Sequence, residues 1–174
     1  MLLRDSPVPV FVSHVLLCDV RFVAARVRLV NLIRAGWLTP VSVAAWARGL
    51  AALPRFWMPR DTSPALARVH LLAPAAGAGI VTLPLRWETA GPVRVLNAGL
   101  TLMLVGPVQT VLRLDGVIRL PPTAAGHIRS KGGLVHRAAA ACAGLLLADV
   151  ADALASPALA NLGDLGKGDG LAAG

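Results

Sequence analysis

Residues 81–92 read VTLPLRWETAGP. Alternate positions fall into two sets: Val81, Leu83, Leu85 and Trp87 are apolar, while Thr82, Pro84, Arg86 and Glu88 are not. Period-two alternation marks a strand with one dry face and one wet face. The dry face needs a cover, and the rest of the chain has to supply it. The flanking stretches read the same way, with strands expected at about 66–73, 80–90, 94–105 and 108–120. Their connectors, PAAGAG, AGPV and GP, are short enough to demand antiparallel neighbours. Pro121-Pro122 stops the sheet.

Upstream, residues 8–18 read as a first strand. Asp19 is placed as N-cap of a helix over 20–34, with Phe22, Val23, Val27, Val30 and Ile33 as its apolar stripe. Ala35-Gly36 ends it. A second helix restarts at Thr39-Pro40, with threonine as cap and proline in the first turn. Residues 54–64 are turn-rich and irregular. TAAGHIRSKGG reads as a joint. A long helix then covers 134–155, with Val135, Ala138, Cys142, Leu145, Leu146, Val150 and Ala153 on one stripe. The order predicts an α+β fold in which the apolar sheet face packs on that helix. The expected organisation is an N-terminal tail at 1–7, one domain over 8–156, and a Gly-rich disordered tail at 157–174.

Composition narrows the class. The 174 residues are 56% hydrophobic with mean hydropathy +0.67, yet only 4% are aromatic and none is Tyr. Residues 95–112 carry no charge, a length that meets the spanning requirement. Gly106-Pro107 interrupts them, so two strands around a turn are predicted and no transmembrane segment is expected. The balance of 17 Lys+Arg against 9 Asp+Glu gives +8, and the arginines are scattered. Scatter supports weak membrane-surface contact and no specific nucleic-acid partner. The helix pair around Trp37 and Trp46 offers only Ser42 and Arg48 for base edges, too little for readout. Cys18 and Cys142 are read as free thiols of a cytoplasmic protein. The N-terminal apolar stretch, broken by Pro9, Ser13 and His14, reads as a strand and not as a signal peptide.

Several phrases resemble a known group: VRLVNLIRAGWLT (27–39), VTLPLRWETAGP (81–92), LNAGLTL (96–102), VLRLDGVIRLPP (111–122) and LVHRAAAA (134–141). They resemble the START-like (SRPBCC) superfamily with its helix-grip fold, most closely uncharacterised actinobacterial members. The polyketide cyclase/dehydrase and lipid-transfer groups are more distant. The resemblance implies a curved antiparallel sheet wrapped on a long C-terminal helix, with two short helices after the first strand. It also implies an apolar cavity between sheet and last helix for a lipid, sterol or polyketide-like molecule. The in-phase positions that would line it are Val69, Leu71, Leu83, Leu85, Trp87, Leu100, Leu102, Leu112, Leu114, Val135, Ala138, Cys142 and Leu145. No cofactor is implied.

Chemistry is thinly signposted. His14, His70, His127 and His136 form no metal-ligand spacing with one another, with cysteines or with carboxylates, so no metal site is expected. There is no nucleophile elbow and no phosphate loop. The weak catalytic candidates are His70, His136 and Arg86. Arg86 falls on the wet face, and His70 is out of phase with Val69 and Leu71. The leading expectation is therefore a binder or carrier of a hydrophobic small molecule. A cyclase/dehydrase-type enzyme comes second, and an interaction protein with a collapsed cavity third.

Overall fold

The computed structural model describes residues 8–51, 68–88, 95–120 and 122–156. Both tails, the turn-rich stretch at 54–64 and the turn at 90–92 lie outside the described residues. The chain runs β1 (Val8–Cys18), α1 (Phe22–Arg34), α2 (Leu38–Ala51), β2 (Arg68–Leu71), β3 (Ala75–Gly77), β4 (Ile80–Glu88), β5 (Val95–Leu104), β6 (Thr110–Leu120) and α3 (Pro122–Ala155). The strands form one antiparallel sheet in the order β1-β6-β5-β4-β2, and β3 continues beside β4 where β2 leaves off. This is an α+β helix-grip architecture.

The alternation of the opening stretch sets the register of the whole inner face. Val81 shares a rung, strand by strand, with Leu102, Leu112 and Leu16. The next rung is Leu83, Leu100, Leu114 and His14, and the one after is Leu85, Ala98, Gly116 and Val12. Trp87, Leu96, Ile118 and Val10 make the last. Leu83 and Leu85 are fully buried while the Arg86 side chain is 51% exposed. A one-residue slip would reverse that, so the dry face is the one the alternation marks. Each leucine side chain taken out of water stabilises the fold by about 1.5–3 kcal/mol before entropy.

The cover is shared among the three helices. α3 packs on β1 and β6, α2 packs on α3 and β2, and α1 lies against β5. Arg28 donates to the carbonyl oxygen of Leu154, tying α1 to the end of α3. Gly49 makes the α2–α3 crossing possible. A Cβ there would lie 2.9 Å from both the Cα and the N of Cys142.

Several sequence expectations need correction. α1 buries Phe22, Ala25, Leu29 and Leu32, while Val23 and Val27 face solvent. The helix carries two apolar stripes, and the sheet took the other one. Asp19 does not cap α1. The N-cap is Arg21, without a side-chain bond, and Asp19 accepts a hydrogen bond from Gln109 Nε2 at 3.0 Å. The connector PAAGAG contains β3. The joint TAAGHIRSKGG is helical, so α3 begins at Pro122, where proline's missing N–H costs nothing. The buried stripe of α3 is Ala139, Cys142, Ala143, Leu146, Leu147, Val150, Ala153 and Leu154, and Leu145 is only half-buried.

Candidate functional site

The inner face changes character along its length. Toward Val81 it is a leucine band: Leu83, Leu100, Leu102 and Leu112 have no exposed surface, and Leu85 and Leu114 have 2% each. A molecule reaches these six only if the helices lift from the sheet. Cys142 is buried beneath α2, with its Sγ donating weakly to the Trp46 carbonyl oxygen at 3.6 Å. Leu71 and Leu145 are half-buried. The side chains of Val69, Val135 and Ala138 lie outside the described set.

At the opposite end Trp87 stacks on Trp46 of α2. Ring centroids are 6.4 Å apart and the planes differ by 18°. The ring partner of Trp87 is thus on α2. Both indoles are buried, and neither Nε1–H has an acceptor. Ser42, one helical turn before Trp46, is fully buried, and its Oγ also lacks a partner. A donor left unpaired in an apolar setting costs about 1–3 kcal/mol. Most buried polar atoms in folded proteins are satisfied, so such a group calls for an explanation.

The catalytic candidates His70 and Arg86 sit on the outer face. Arg86 pairs with Glu88 at 2.9 Å, and His70 Nε2 lies 3.6 Å from the same carboxylate. These exposed pairs contribute little to stability. His136 Nδ1 donates to the Phe11 carbonyl oxygen at 3.1 Å on the edge strand, which fixes its proton on Nδ1. The structure therefore brings His70 and Arg86 together as cross-strand neighbours on the outer face, sharing Glu88, and leaves His136 apart from them at β1.

It does bring in a histidine that the sequence reading passed over. His14 is in phase with Val10, Val12, Leu16 and Cys18 and shares a rung with Leu114 and Leu100. It is half-buried against α3, where Gly144 makes room. A Cβ at that position would sit 3.2 Å from both Cε1 and Nε2 of His14. The alternation of VPVFVSHVLLC carried that signal. His14 is the one imidazole on the inner face among the described residues.

Among the described residues two recesses open to solvent. One, of about 600 Å³, is centred on the rung Val12–Gly116–Ala98 and includes Ser13, Asp115 and His136 in its lining. This is the rung of smallest residues. The other, of about 380 Å³, lies between α2 and α3 at Trp37, Val41, Asp149 and Asp152. Asp149 there is paired with Arg48. Among the described residues no cluster of His, Cys, Asp or Glu is arranged to hold a metal, and no helix is long and apolar enough to cross a membrane. Both thiols are free and buried. Burial pushes Cys142 up to about 12, while burial and then Asp19 and Asp152 raise Cys18.

No protein-family model and no curated protein sequence matches the chain. Among solved structures it is similar to the hypothetical protein jhp0584 from Helicobacter pylori, with 11% identity and a TM-score of 0.44. That similarity covers 81% of this chain and 88% of the other. It is also similar to norcoclaurine synthase from Thalictrum flavum, at 13% identity and a TM-score of 0.35, covering 83% and 98% of the two chains. The Zhui aromatase/cyclase from Streptomyces sp. R1128 is similar at 15% identity and a TM-score of 0.30, covering 82% and 94%.

Proposed function

We propose that this protein binds or carries a hydrophobic small molecule, of lipid, sterol or polyketide-like kind, at the Trp46–Trp87 end of the space between sheet and helices. The observation that carries the reading is the trio of buried donors without acceptors: Ser42 Oγ, Trp46 Nε1 and Trp87 Nε1. Stacked indoles offer a large apolar surface, and their N–H groups ask for an acceptor. A ligand with an apolar body and one carbonyl or carboxylate oxygen supplies both needs. The leucine band would be the floor of the site, reached as α3 shifts. This agrees with the sequence resemblance to START-like proteins of the uncharacterised actinobacterial kind. We assign the activity to the cytoplasm, where two buried thiols stay reduced.

The test is ¹H–¹⁵N spectroscopy of the indole groups. A long-chain carboxylic acid shifts the Trp46 and Trp87 indole signals and binds about tenfold more tightly than the matching hydrocarbon. Ser42→Ala stabilises the ligand-free protein by about 1 kcal/mol, because it removes an unpaired hydroxyl, and weakens the acid's binding. Equal affinity for acid and hydrocarbon, with indole signals unmoved, would mean that trapped water satisfies these donors.

One observation favours a second reading, an enzyme of the polyketide cyclase/dehydrase kind. His14 places an ionisable nitrogen on the inner face, where a general base would stand. On that reading His14→Gln leaves ligand affinity intact and removes turnover.

A further inference from the structure

We propose that the end of the sheet opposite Trp87 is a docking surface for an anionic phospholipid membrane. β4 starts at Ile80 and passes Trp87 near its other end, so the two ends of the sheet are distinct places. Six of the ten large apolar side chains exposed among the described residues gather at the Ile80 end: Leu17, Val23, Ile80, Leu104, Val105 and Val108. Each exposes between 42% and 73% of its surface.

The backbone brings them together. Gln109 bonds to Asp19, and Thr110 Oγ1 donates to the Val20 carbonyl oxygen at 2.7 Å, joining the β5–β6 turn to the start of α1. Leu104 N–H donates to the Gly79 carbonyl oxygen at 2.8 Å, joining that turn to the β3–β4 turn. Val27, also exposed, extends the patch one turn along α1. Single exposed apolar residues need no explanation, but a gathered patch marks an interaction surface.

Charge chooses the partner. Arg21 and Arg26 are exposed at the start of α1 and have no carboxylate partner among the described residues. Asp19 is held by Gln109, and Asp152 is exposed on α3 in the lining of the recess between α2 and α3. Apolar side chains rimmed by unpaired guanidinium groups match a bilayer interface, where the former enter the acyl boundary and the latter stay with the phosphates. The chain's net +8 adds long-range attraction to such a surface. This surface lies at the opposite end from the proposed ligand site and stands independently of it.

The experiment is co-sedimentation of the full chain with vesicles of phosphatidylcholine alone and of phosphatidylcholine with phosphatidylglycerol. The protein pellets with the anionic vesicles, and added salt releases it. Val105→Asp/Val108→Asp weakens binding about tenfold, and Arg21→Gln and Arg26→Gln each weaken it about fivefold. All four positions are exposed, and circular dichroism checks that the variants fold. Failure to pellet with anionic vesicles at low salt overturns the proposal. So does equal pelleting by the apolar variant or by both vesicle types. A self-association that Val105→Asp/Val108→Asp abolishes, without vesicle binding, also overturns it and makes the patch a contact between copies of this chain.

Discussion

Replacing Trp87 with alanine lowers stability by about 3–5 kcal/mol, because a buried indole leaves a void that its neighbours fill only in part. Trp87 is 3% exposed and closes the rung of Leu96, Ile118 and Val10. Its stack on Trp46 adds about 0.5–1.5 kcal/mol beyond burial. The loss is read as a lower urea midpoint at unchanged slope. Trp87→Phe keeps most of the ring and loses the unpaired N–H, so it costs far less than alanine. A loss of under about 1 kcal/mol for alanine would mean that the indole is not part of the core.

The second large effect is expected at Gly49, where valine destabilises the protein by about 3 kcal/mol. Any side chain there meets Cys142, and two of the atoms met are backbone. Sγ can rotate away, but Cα and N at 2.9 Å move only if α2 and α3 part. Cys142→Ala therefore does not rescue Gly49→Val. Rescue would show that only the sulfur is in the way and that the helices are less tightly crossed. Alanine's higher helix propensity, worth about 1 kcal/mol over glycine, makes Gly49→Ala the milder variant.

How far the fold was legible follows from what each residue pattern can encode. Alternation is a local property, and the run from Val81 to Trp87 declared its faces without help. Gly106-Pro107 likewise marked a turn inside an uncharged run. β3 was hidden because Ala75, Ala76 and Gly77 are too small to show two faces. The first half of α3 was hidden because Gly126, Gly132 and Gly133 weaken the helical signal of that stretch. On α1 two stripes compete, and only the sheet decides that Leu29 goes in and Val27 stays out.

The candidate site was less legible than the fold. His14 announces itself only once β1 has a register, and the Trp46–Trp87 stack depends on how α2 crosses the sheet. Unpaired donors are invisible in sequence, since an acceptor is a matter of three-dimensional neighbours. The same holds for the apolar tip, whose members come from three separate turns and the end of β1.

The most direct test of ligand binding is tryptophan emission of a Trp37→Phe/Trp57→Phe variant, which keeps the Trp46–Trp87 pair as the sole reporter. A long-chain fatty acid or a polyketide-like aromatic acid is titrated into the folded protein. The account predicts a saturable shift or quench of emission that Trp87→Phe diminishes. Emission unchanged across both ligand classes, in protein shown by circular dichroism to be folded, would contradict it and leave the stacked indoles as packing alone.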